Sequence, residues 1–187
     1  EETTIDQLPS YHYQVEDNTI VQQVEKTLRA NPEWPGVIIT HHDHMIGMIS
    51  RRRFFEILGT RYGVAVFLQR PIEIMVKHVM DPLILPGTCY INEAVRETLK
   101  RENTLIYEPI LVECGKREFH LLDIYMLLLA QSQLYAALQM ELQSVNVNLE
   151  NRVIRRTEQL TQANTQLNRE VAERKQAEKQ SSYSSWH

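Results

Sequence analysis

The chain has 187 residues, 43% of them hydrophobic and 24% charged, and carries a formal net charge of −4. That length fits one domain or two small ones, and the acidic balance excludes a general polyanion binder, so no nucleic-acid partner is expected. Two cysteines, Cys89 and Cys114, stand in neither metal nor redox spacing, which excludes a disulfide scaffold and fits a reducing cytosol. No apolar run approaches the roughly 20 residues of a membrane span, and the opening Glu1-Glu2-Thr3-Thr4 is not a signal peptide, so a cytoplasmic protein without a membrane partner is expected.

Residues 1–10 are polar and are expected to form a loosely held tail. Residues 11–133 read as compact, with short apolar strands between amphipathic helices, and they contain a repeat. Val24-Glu25-Lys26-Thr27-Leu28-Arg29 is similar to Val95-Arg96-Glu97-Thr98-Leu99-Lys100, displaced by 71 positions. The apolar strand Gly36-Val37-Ile38-Ile39-Thr40 falls on Pro109-Ile110-Leu111-Val112-Glu113 at 73, so an insertion separates helix from strand in the second copy. Each copy continues with a polar turn, a second strand and a helix. In the first these are His41-His42-Asp43-His44, Met45 to Ile49, and a helix from about Arg51. In the second they are Cys114-Gly115-Lys116-Arg117, Glu118 to Leu122, and a helix from about Asp123. The order predicts an α/β fold of two units, about 11–58 and 79–133, with pseudo-two-fold symmetry and a linker over about 59–78. In that linker Gly59 and Gly63 permit a tight turn, and Pro71 stops the preceding helix.

The four-residue turn His41-His42-Asp43-His44 is rich in metal-ligand types, but Asp is ordinary in a turn and neighbouring strand side chains diverge. A metal site needs convergent ligands, so none is expected there. The run Arg51-Arg52-Arg53 lies at a helix N-terminus, where positive charge is electrostatically unfavourable. Four readings are open for it: a phosphate or nucleotide held with Ser50 and joined by Arg61 and Arg70; nucleic acid; pairing with local carboxylates such as Glu56 or with a partner chain; or plain solvation. No nucleophile–base arrangement, P-loop or paired carboxylate is present, so no catalytic residue is expected in this chain.

The repeat resembles a tandem pair of CBS domains over residues 11–133. The residues that carry the resemblance are Gly47-Met48-Ile49-Ser50 with the helix that follows, and Met80-Asp81-Pro82-Leu83, similar to the lead-in of a second CBS unit. The resemblance implies two βαββα-like units, frequent dimerisation, and an adenine or guanine nucleotide as a regulatory ligand in the cleft between units. It implies that Ser50, the following arginines and Asp123 at the matching position of the second unit are ligand-binding candidates. Two departures stand out: Arg53 occupies the family's ribose-binding Asp position, and in the second unit Asp123 takes the hydroxyl position and Met126 the Asp position.

From Leu134 to the end there is neither Pro nor Gly, and a long helix is predicted over 134–182. Its apolar stripe runs Leu142, Val145, Leu149, Val153, Arg156, Leu160, Ala163, Leu167, Val171, Arg174, Glu178. That is 36 residues over ten steps, between heptad and hendecad spacing. So narrow a stripe needs a partner helix, most simply the same helix of a second chain in a parallel coiled coil, and a homodimer is expected. The run from Leu167 to Glu178 (LNREVAERKQAE) resembles the signalling helix of bacterial sensor proteins. That resemblance implies an output domain in cis after the lead-in Tyr183-Ser184-Ser185-Trp186-His187. A diguanylate cyclase (GGDEF) domain comes first, with a histidine kinase or phosphatase as alternatives. The expected function is a regulatory input module, not itself an enzyme; the alternative is a degenerate CBS-like scaffold that only dimerises.

Overall fold

The computed structural model describes residues 3–77, 81–115 and 118–184, with side chains through 179. Met80, Lys116, Arg117 and the final Ser185-Trp186-His187, all used in the sequence reading, lie outside the described residues. The chain divides into two units, Glu1–Leu134 and Tyr135–His187.

The first unit contains the pattern β-α-β-β-α twice. The first copy comprises β1 (Gln14–Glu16), α1 (Val21–Ala30), β2 (Gly36–His41), β3 (His44–Ser50) and α2 (Arg51–Leu58). Two short helices follow, α3 (Gly63–Phe67) and α4 (Glu73–Val76). The second copy comprises β4 (Ile84–Pro86), α5 (Ile91–Leu99), β5 (Ile110–Gly115), β6 (Glu118–Leu122) and α6 (Ile124–Ser184). Each copy makes a three-stranded sheet in which the first strand pairs parallel and the last antiparallel with the central one. The mixed α/β architecture with a long C-terminal helix is the expected one.

Why the central strands are apolar throughout is visible in their packing. Side chains alternate between sheet faces. Val37, Ile39 and Ile49 point into the first copy's helical core with Val24, Leu28 and Phe54. Ile110, Val112 and Leu122 do the same in the second core with Ala94, Val95 and Leu127. Between them Ile38, Met48, Leu111 and Leu121 form a third cluster, where the sheets meet. A strand buried on both faces has no polar positions to spare. Gly36 is needed where β2 closes on β3, because a Cβ there would lie 2.5 Å from the Ile49 carbonyl oxygen.

Three expectations are corrected. The N-terminus does not hang free: Ile5 is fully buried in the second core, its N–H donates to the Cys89 carbonyl at 2.9 Å, and Tyr11 bridges to Leu121. The chain thus starts against the second copy and crosses to the first, where the Ile38 N–H donates to the Tyr13 carbonyl. The stretch expected as a linker also packs, with Ile72 and Met75 fully buried in the first core. The helix repeat is offset by one position from the sequence reading: the buried faces match Val21 with Ile91, Val24 with Ala94 and Leu28 with Thr98. Burial sets the alignment: Val24 and Val95 are both buried, but Leu99, which the sequence similarity matched with the buried Leu28, is 58% exposed.

The His41–His44 turn is a tight hairpin with His42 and Asp43 at positive φ. The His41 Nδ1 lies 2.7 Å from the Asp17 carboxylate, and the His42 N–H donates to Glu16. Among the described residues, no group of three or more metal-ligand side chains converges, and no helix is long and apolar enough to cross a membrane.

In the second unit α6 continues with polar residues on most of its surface. The stripe residues Leu142, Val145, Leu149, Val153, Leu160, Leu167 and Val171 are exposed, between 49% and 66%, and Ala163 is exposed with them.

Candidate functional site

Ser50 ends β3 and caps α2. Its backbone is extended, its Oγ accepts the Arg53 N–H at 3.2 Å, and it is 4% exposed. A serine there satisfies one of the free N–H groups of the helix start. Asp123 does the same work at the start of α6, where its Oδ1 accepts the Tyr125 N–H at 2.9 Å. The matched positions of the two copies are therefore both side-chain caps.

α2 carries its arginines in two directions. Phe54 and Leu58 hold the inner face in the core. Arg51 turns toward α1, donating to the Leu28 and Asn31 carbonyls, and its guanidinium lies over the Phe55 ring. Arg52 and Arg53 turn the other way and line a cavity of about 300 Å³ with Met48 and Ser50. The opposite wall belongs to the second copy: Asp81 and Pro82 ahead of β4, and Arg101, Thr104, Leu105 and Glu108 from the segment between α5 and β5.

This cavity is balanced in charge, with Arg52, Arg53 and Arg101 against Glu56, Asp81 and Glu108. Arg52 sits among three acceptors: Glu56 at 3.4 Å, Glu108 at 3.6 Å and the Thr104 carbonyl at 3.4 Å. Arg53 pairs with Glu56 at 3.4 Å. Arg101 donates to the Glu108 carbonyl at 2.9 Å. Burial lowers the Arg101 pKa from its ordinary value, and the nearby Glu108 carboxylate opposes that shift.

Of the residues singled out from the sequence, the cavity gathers Ser50, Arg52 and Arg53. It leaves out Arg51, which is engaged with α1; Arg61, whose guanidinium lies over Tyr62; Arg70, whose backbone carbonyl accepts the Val21 N–H; and Asp123, which caps α6. Sequence reasoning missed Arg101, Thr104 and Glu108. Their one signal was the extra length between α5 and β5, which supplies the cavity's second wall.

Compared by sequence, the chain matches no family model and no curated protein. Compared by structure, it is similar to a CBS-domain containing protein from Agrobacterium tumefaciens, with a TM-score of 0.54 and 16% identity, over 70% of this chain and 94% of that one. A CBS domain-containing protein from Thermotoga maritima is similar with a TM-score of 0.52 and 16% identity, over 69% and 94%. The compact unit has the CBS-pair fold. A third CBS neighbour, from a bacterial CNNM/CorC family Mg2+ transporter and solved in complex with ATP, has a TM-score of 0.50 and 12% identity, over 68% and 86%. Within this fold the cavity lies between the copies, with the capped start of α2 at its edge.

Proposed function

We propose that the chain is a regulatory input module: a CBS pair whose inter-copy cavity takes a nucleotide, and whose α6 pairs with its own copy in a parallel coiled coil. The ligand class is an adenine or guanine nucleotide, its phosphate held by Arg52 and Arg53 beside the start of α2. The carrying observation is the cavity itself, which brings Ser50, Arg52, Arg53 and Arg101 together on a CBS fold. The ATP complex of the transporter's CBS domain supports the ligand class. The exposed apolar stripe supports the homodimer, since only a partner helix removes it from water. On this reading the ligand changes the pairing of the helices, and α6 relays that change to an output domain following His187. A diguanylate cyclase is the first choice for that output, and a histidine kinase the second.

A second reading is favoured by one observation: the cavity's cations already face carboxylates of the chain, as in a scaffold that holds no ligand. Thermal unfolding of the chain with AMP, ATP, GMP or GTP separates the two. A binder at a hundred times its Kd stabilises by about 2.7 kcal/mol, and its melting temperature rises accordingly. No rise with any of the four, alongside a dimer in sedimentation equilibrium, supports the scaffold.

A further inference from the structure

Glu108 is an unusual lining residue. Its side chain is only 12% exposed, whereas the Arg52 side chain it faces is 50% exposed. A carboxylate withdrawn from water needs a cation, and Arg52 stands 3.6 Å away on the other copy. The backbone beside it is fixed, because Arg101 donates to the Glu108 carbonyl at 2.9 Å. Arg52 also reaches the Thr104 carbonyl, so the same guanidinium holds the segment that walls the cavity at its middle and near its end.

We infer that Glu108 is an internal competitor for the anionic group of the cavity's ligand, a specificity-determining residue that favours one phosphate over several. This rests on the nucleotide reading of the same cavity. A phosphate that approaches Arg52 meets a carboxylate already there. It must displace Glu108 or lie beside it, and like charges repel more strongly out of bulk water. The penalty grows with the charge on the ligand, so a nucleoside monophosphate enters more readily than a triphosphate. Displacing Glu108 also removes one of the two contacts that Arg52 makes with the segment ahead of β5, leaving the Thr104 carbonyl, which joins occupancy of the cavity to the contact between the two copies.

The experiment is calorimetric titration of the whole chain with inorganic phosphate, and separately with AMP and ATP. Glu108→Gln removes the charge and keeps the shape. Phosphate affinity rises at least fivefold, the preference for AMP over ATP narrows, and both gains vanish when Arg52→Gln is added. Phosphate binding no tighter in Glu108→Gln than in the native chain, or a gain that survives Arg52→Gln, overturns the inference. A phosphate gain without binding of any nucleotide leaves Glu108 a competitor and removes the nucleotide reading. AMP binding that is equal in both proteins does the reverse. Should Glu108→Gln fail to fold, Glu108→Asp withdraws the carboxylate by one methylene; a smaller gain of the same sign is expected, and none overturns the inference.

Discussion

The Ser50 hydroxyl accepts the Arg53 backbone N–H at 3.2 Å. One residue therefore ends β3, starts α2 and sets the direction in which Arg52 and Arg53 leave the helix. Ser50→Ala removes the cap and is expected to cost about 1 kcal/mol of stability. Ser50→Thr retains the cap and most of that stability. Urea unfolding of both variants reads the difference.

Ile5 supplies a core residue to the second copy from the far end of the sequence. Ile5→Ala opens a cavity beneath a fully buried side chain and is expected to destabilise by about 2–5 kcal/mol. Denaturant unfolding checks the value. A cost within a few tenths of a kcal/mol, typical of surface positions, would restore the picture of a loose tail.

His42 and Asp43 turn the β2–β3 hairpin with φ of 49° and 60°. Two consecutive positive φ values suit Asn-Gly far better than His-Asp. Asp43→Gly is expected to raise stability by about 1 kcal/mol, as relief of the left-handed strain outweighs the added freedom of the unfolded chain. Thermal unfolding detects it as a higher melting temperature.

The stripe on α6 repeats: Leu142, Val145, Leu149, Val153 and Arg156 recur eighteen residues later as Leu160, Ala163, Leu167, Val171 and Arg174. Eighteen residues make five whole turns of a helix at 3.6 per turn, so the stripe stays on one face with little drift. Within each repeat the arginine interrupts the apolar seam. Arg174 has Glu170 and Glu178 one turn away on either side, whereas Arg156 has Arg152 and Leu160 there. In a parallel dimer Arg156 is thus the seam's weakest place. Arg156→Leu is expected to tighten the dimer about tenfold, or about 1.4 kcal/mol, and Arg174→Leu by less. Sedimentation equilibrium of the whole chain compares them.

The sequence made the helix-strand-strand-helix repeat legible because strands buried on both faces must be apolar at every position, as Val37-Ile38-Ile39 and Ile110-Leu111-Val112 are; the three-residue leading strands β1 and β4 are too short to carry such a pattern and were implied only by the family resemblance. It also marked the α2 start at Arg51, where the serine cap precedes a Phe54–Leu58 face. What it hid were contacts distant in sequence. Nothing local distinguishes the Ile5 segment from a polar tail, since its one buried side chain finds its partners near Cys89. The arginine run looked uniform, yet helical geometry sends Arg51 to α1 and its two successors to the cavity. Arg101 and Glu108 were silent because their role comes from the opposite copy.

On the proposed function, a ligand in the inter-copy cavity changes the pairing of α6. Disulfide cross-linking tests it most directly, with Cys89→Ala and Cys114→Ser as the background and single cysteines placed at Val145, Leu149, Val153, Leu160 and Leu167. Without ligand, cross-linking between like positions is expected along this stripe. Saturating AMP, with binding verified by thermal shift, is predicted to change which positions cross-link fastest. A pattern identical with and without bound AMP would contradict the account.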